Sequence, residues 1–264
     1  MKILRINEAK NAIGKKSLYL STMNDINIKI RGGKSLKDLI KIRKKAVINL
    51  FSIENYEYYI ALQSQINKYA IIKNYDQYIK DTGVILSDGS DERNASHCHN
   101  NNIIISVTMI KDLDYIFAHE LWHIISRNIN SLRRNIIYKS FDIFPCKIKI
   151  IVKKSDKYIP ATSLSFLQNP DNHVQINKKS ILAHSFKLSV GSIVILPLIK
   201  NTMFGSILVG KLVGSYLYEL TGPDKKYIIQ LLNKKYKTNY LIGADEVVAE
   251  IFSNKIYNNF LLDI

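Results

Sequence analysis

Residues 119–123 read His-Glu-Leu-Trp-His, and no other stretch of the chain restricts its fold and chemistry so tightly. In a helix, positions i and i+4 share one face about a turn apart. The spacing therefore lets His119 and His123 offer two imidazoles to a single tetrahedral zinc ion. Glu120 follows directly, beside the metal but outside its ligand shell, where it can take a proton from a water that the metal activates. The pattern has this meaning only on a helix. Leu113, Ile116, Phe117, Leu121, Ile124 and Ile125 supply a broad apolar face and predict a helix over about 112–127.

Two imidazoles leave the ligand set incomplete. A third histidine at the metzincin spacing is absent, since position 126 is Ser and position 129 is Ile. The other common solution is a glutamate from a second helix. Gly243 precedes a predicted last helix from Ala244 to about Leu261, and in it Glu246 and Glu250 stand four apart on one face. Beside Val247, Val248, Ile251 and Phe252, two carboxylates are costly to bury unless a cation or hydrogen bonds meet them. Zinc ligation resolves that cost for Glu246, and Glu250, one turn on, can orient a ligand imidazole through its other ring nitrogen. The bland alternative is a pair of solvent-facing acids. Asp245 is the weaker ligand candidate, because position 249 is Ala and gives it no acidic partner.

These two segments resemble the gluzincin metallopeptidases, the thermolysin-like clan. His-Glu-Leu-Trp-His-Ile-Ile-Ser-Arg (119–127) and Tyr-Leu-Ile-Gly-Ala-Asp-Glu-Val-Val-Ala-Glu-Ile-Phe (240–252) are most similar to a little-characterised bacterial branch of that clan. The Asn169-Pro170-Asp171 turn is similar as well. The likeness spans roughly residues 100–260 and is strong only at the two helices. It implies His119, His123 and Glu246 as ligands, Glu120 as general base and Glu250 behind the ligands. It also implies a zincin-like α+β fold: a small mixed sheet, an active-site helix and a second, ligand-bearing helix. In such folds the strand before the active-site helix, here Ile103–Val107, lies where the substrate-binding edge is placed. Two departures stand out. Gly243-Ala244 occupies the place where that branch often has His-Pro, and 123 residues separate His123 from Glu246, far more than in thermolysin.

Composition narrows the alternatives. With 264 residues, 47% hydrophobic, 11 Gly and 5 Pro, the chain is neither disordered nor collagen-like and can bury a real core. Its formal charge of +16 would suit a phosphate-rich partner, but the lysines are scattered and no block of five like charges occurs. Nucleic-acid binding is thus the less favoured reading. Two cysteines, Cys98 and Cys146, exclude a disulfide scaffold while leaving one bridge open. No apolar run approaches the eighteen residues of a membrane span, and the N-terminus shows no signal-peptide core, so the default address is cytoplasmic.

The remaining chain reads as a single α+β unit, 1–264, with residues 1–86 as its candidate helical subdomain. Within it, 17–31 suggests a hairpin, because Ile26, Ile28 and Ile30 alternate with polar residues. Ser35 with Asp38 resembles a capping box that opens a helix reaching toward Phe51. A tyrosine-rich helical stretch covers roughly 57–80, and 87–102 reads as a polar loop. Beyond the motif, 147–153 and 187–199 alternate as strands, and Gly222-Pro223-Asp224 opens a helix to about Lys237.

His97-Cys98-His99 could place two imidazoles on one face of an extended segment, yet with no third ligand nearby a polar loop is the simpler reading. Peptide hydrolysis also needs a donor for the oxyanion. Tyr240, six residues before Glu246, is the first choice, with His184 and Tyr218 as alternatives. Two rival readings stand beside a zinc metallopeptidase with a peptide or protein substrate. One is a catalytically degenerate zinc protein. The other is a basic nucleic-acid binder carrying a fortuitous motif.

Overall fold

The computed structural model describes all residues except 71–74, 154–156, 165–174, 177–178, 201–202, 239–240, 242 and 258–264. The fold is α+β, and the chain divides into two compact units. The first comprises Met1–Ile129 together with the end of the last helix from Phe252. The second comprises the remaining described residues, beginning at Asn130.

In the first unit the elements run β1 (Lys2–Ile3), α1 (Ile6–Gly14), α2 (Leu18–Ser21), α3 (Asp25–Lys29), α4 (Leu36–Ala46), α5 (Tyr56–Tyr69), α6 (Asp76–Ile79), β2 (Gly83–Ser87), β3 (His97–His99), β4 (Asn102–Ser106) and α7 (Leu113–Asn128). The four strands form one sheet in the order β1-β2-β4-β3, in which β1, β2 and β4 are parallel and β3 runs antiparallel along the edge. Residues 1–86 contribute β1 and most of β2 to this sheet, where β1 pairs with β2 and β2 with β4. Side chains alternate across the sheet. Ile85 and Ile104 point to one face and pack with Leu4, Ala9, Ile13 and Val47, the α1 side. Val84, Leu86, Ile103, Ile105 and Cys98 belong to the opposite face, and α7 packs against β4 and β3.

Several expectations change. Residues 17–31 form the two short helices α2 and α3, not a hairpin. The Asn24 side chain caps α3 by accepting from the Asn27 amide at 2.9 Å, and three alternating isoleucines are too few to override a good cap. Ser35 does cap α4, accepting from the Asp38 amide at 3.2 Å. That helix ends at Ala46, where Val47 turns extended and bridges to Ser87. The tyrosine-rich stretch is divided into α5 and α6 rather than continuous. The expected loop over 87–102 contains β3, and β3, not the 102–107 strand, is the sheet edge: β4 lies inside, between β2 and β3.

The second unit continues with α8 (Ser131–Ser140), β5 (Ile143–Ile148), β6 (Ile150–Val152), β7 (Tyr158–Pro160), β8 (Gln175–Ile176), β9 (Ile181–Leu188), β10 (Gly191–Lys200), β11 (Met203–Val213), β12 (Tyr216–Glu219), α9 (Gly222–Tyr236) and α10 (Ala244–Tyr257). Its sheet has the order β5-β9-β10-β11-β12-β6-β7, with β8 beside β9. Ile148, Ile151, Ile181, Val194, Leu196, Leu208 and Leu217 build its core. The 147–153 segment is two strands, broken at Lys149. The 187–199 segment is the turn of the β9–β10 hairpin and most of its second strand. Helix α10 is continuous, but its residues up to Ile251 group with the second unit and those from Phe252 on with the first. Among the described residues no helix is long and apolar enough to cross a membrane.

Candidate metal centre

Helix α7 is enclosed along its middle: every residue from Phe117 to Ser126 is buried. A helix of that kind normally carries only apolar side chains. This one carries His119, Glu120 and His123 in its buried stretch, at 8%, 4% and 0% exposure, so the polar groups need partners within the protein. Phe117 stacks on Tyr69 (centroids 5.6 Å apart) and Trp122 meets Phe252 in a tilted ring contact (5.1 Å), and the two contacts fix the helix in rotation.

His119 and His123 direct their Nε2 atoms at each other, 3.2 Å apart. Two nitrogens each about 2.0–2.1 Å from a tetrahedral centre lie about 3.3 Å from one another, so the imidazole pair has the spacing a zinc ion needs. Glu246, in the first turn of α10 and 2% exposed, joins them: one ligand atom from each of the three residues lies within 4.8 Å of the others. Among the described residues this is the one group of three or more His, Cys, Asp or Glu side chains that could hold a metal ion. Two imidazoles and a carboxylate are a donor set suited to zinc.

The neighbours of the three residues are sorted by geometry. Asp245 is also buried, but the Tyr138 hydroxyl donates a short hydrogen bond to its Oδ1, which gives that carboxylate a structural partner. Glu250 sits one turn beyond Glu246, half-buried, with the Thr238 hydroxyl 3.5 Å from its Oε2. Glu120 lies within reach of Cys98, whose Sγ is 3.1 Å from its carbonyl oxygen and 3.3 Å from its Oε2.

His97 and His99 do not form a second metal site. Arg43 donates to His97 Nε2 at 3.2 Å, and His99 Nε2 is 2.9 Å from the Lys15 carbonyl. Burial, with Arg43 nearby, depresses the His99 imidazole to about 3. Cys98 and Cys146 are not joined in a disulfide.

Of the three oxyanion candidates, Tyr240 falls outside the described residues, as does the Asn169-Pro170-Asp171 turn. Tyr218 is 42% exposed on β12. His184, on β9, packs its ring 4.8 Å from that of Tyr138, the residue that holds Asp245. Burial lowers the His184 pKa, and Asp245 partly offsets that.

Sequence reasoning missed the Cys98–Glu120 contact and the Tyr138–Asp245 pair. The alternation in His-Cys-His could have exposed the first, by showing a strand with Cys98 on one face and both histidines on the other. Nothing in the sequence connects Tyr138 with Asp245. No protein-family model, curated protein or solved structure matches the chain.

Proposed function

We propose that the chain is a zinc-dependent metallopeptidase of gluzincin type with a zincin-like first unit. The observation that carries this reading is the buried convergence of His119, His123 and Glu246, with Glu120 next to the first ligand on the same helix. A parallel sheet closed by an antiparallel edge strand against that helix supports it.

In this reading His119, His123 and Glu246 hold the zinc, which when bound supplies Lewis-acid activation of water and of the scissile carbonyl. Glu120 takes a proton from the attacking water and delivers it to the leaving amine. Its burial on α7 against β3 keeps the carboxylate from being screened by solvent and strengthens its interaction with charge developing nearby. Glu250 supports the ligand cluster from one helical turn away. Tyr240 remains the first candidate for the oxyanion donor, and His184 precedes Tyr218 because it adjoins the Tyr138–Asp245 pair while Tyr218 faces solvent. Peptides or proteins are the substrate class.

The test combines metal content with turnover. The purified protein should carry about one zinc per chain by elemental analysis and cleave members of a mixed peptide library. Glu120→Gln should keep the zinc and lose roughly 10²–10⁴ in rate, the scale of a general base. A zinc-loaded Glu120→Gln protein that cleaves at the wild-type rate would reject the assignment. A protein without stoichiometric metal whose retention on nucleic acid falls steeply with salt would favour the nucleic-acid reading instead.

A further inference from the structure

Cys98 is fully buried in the middle of β3, paired with Ile103 of β4. Both of its strand neighbours are tied down on the other face of the sheet. His97 meets the Arg43 guanidinium at 3.2 Å, and His99 meets the Lys15 carbonyl at 2.9 Å. The edge strand is thus clamped from the side of the N-terminal helices, and the one side chain it presents toward α7 is a thiol against Glu120.

A thiol is a weak donor, and an ionised carboxylate only accepts. At 3.3 Å from Oε2 the Cys98 S–H can hold one oxygen of Glu120 on the sheet side, which fixes the carboxylate plane. We propose that Cys98 is the positioning residue of Glu120: its thiol donates to Oε2 and orients the base for proton transfer. The inference rests on the peptidase reading for its kinetic consequence, though not for the hydrogen bond itself. The rival within this geometry is a thiol that donates only to the Glu120 carbonyl, 3.1 Å away, and merely fills space.

Two measurements separate these. The first needs no activity and no metal. The S–H stretching band lies in an infrared window free of other protein absorption, and Cys98→Ser and Cys146→Ser each remove one band and so assign both. The Cys98 band should move to higher wavenumber in Glu120→Gln, because an amide oxygen accepts more weakly than a carboxylate. A Cys98 band unchanged by Glu120→Gln would mean that the thiol serves the carbonyl, and the proposal would be overturned.

The second measurement is kinetic. Cys98→Ala and Cys98→Val delete the donor, the second at nearly conserved volume, while Cys98→Ser keeps an O–H. The donorless variants should lose about tenfold in kcat with KM within about twofold, and Ser should recover most of the loss at unchanged zinc content. Wild-type kcat in Ala and Val, or Ser no better than Val, would overturn the positioning role. An inactive wild-type protein, or one indifferent to Glu120→Gln, would instead fail the peptidase reading, and the infrared shift would still decide the hydrogen bond.

Discussion

Behind the edge strand, Glu92 is buried with its carboxylate shared by three donors. Arg31 Nε meets Oε2 at 2.7 Å, Arg43 meets Oε1 at 2.6 Å, and the Tyr19 hydroxyl meets Oε1 at 2.5 Å. The side chains of Arg31 and Arg43 are 2% and 0% exposed, so neither can turn to water if Glu92 is neutralised. Burial alone would raise the Glu92 carboxyl, but the two guanidinium charges outweigh it and hold the group down at about 2. Relative to an ordinary 4.5, at about 1.36 kcal/mol per pH unit, that difference contributes roughly 3 kcal/mol of stability at neutral pH. Breaking a buried ion pair typically costs about 3–5 kcal/mol, so the two routes agree.

A carboxyl whose folded pKa is depressed contributes fully above its unfolded value and loses the contribution as pH falls from about 4.5 to about 2. Glu92→Gln should therefore destabilise the first unit by roughly 3 kcal/mol at pH 7, but by only about half that near pH 3. Trp122 is the only tryptophan, is buried and belongs to that unit, so urea unfolding of the metal-free protein followed by its fluorescence reads the relevant transition. A gap that stays constant between pH 7 and pH 3, or one below about 1 kcal/mol at pH 7, would refute the claim that paired charge is what Glu92 supplies.

Three further outcomes are expected. Glu246→Ala should all but abolish zinc retention against a chelator, whereas Asp245→Asn, whose carboxylate is held by Tyr138, should leave zinc binding nearly intact and lower stability by about 1–2 kcal/mol. Glu250→Ala should weaken zinc about 10–100-fold in the same titration yet keep activity at saturating zinc; a loss as severe as that of Glu246→Ala would exchange the two roles. Gly89 holds φ +89, and a Cβ there would lie 2.5 Å from Asn94 Oδ1 and 2.7 Å from Ser106 Oγ, so Gly89→Ala should cost about 1–3 kcal/mol in thermal unfolding by disturbing the turn that carries Glu92 inward.

The parts of the site that can be read in the sequence are those whose partners are local. His119, Glu120 and His123 sit within one helical turn, and the helix pattern brings the two histidines to one face before any tertiary information is needed. Glu246 can be proposed because an acid in an apolar helix needs a reason to be there, a constraint that acts at a distance of 123 residues without naming its partner. Where local signals are brief, tertiary context overrides them. Three alternating isoleucines suggest a hairpin over a segment that Asn24 caps into helix, and a polar stretch conceals the edge strand.

Cys98 shows why the edge strand is hidden in the sequence and why it bears on the chemistry. Its two neighbours are histidines, residues that read as loop or ligand, and their partners Arg43 and Lys15 lie 54 and 84 residues away. Only when those contacts are made does alternation place the thiol on the opposite face, against Glu120. The buried charge cluster around Glu92 shares Arg43 with His97. Loss of Glu92 should therefore loosen the anchor of β3 before it touches any of the proposed metal ligands. That coupling predicts an order of effects in Glu92→Gln at temperatures where the fold persists. The Cys98 S–H band should broaden and, on the peptidase reading, kcat should fall while zinc affinity holds, since the proposed ligands sit on α7 and α10 and not on β3. Zinc lost in step with kcat would place the cluster's influence on the helices instead, and the edge strand would then have no separate part in orienting the base.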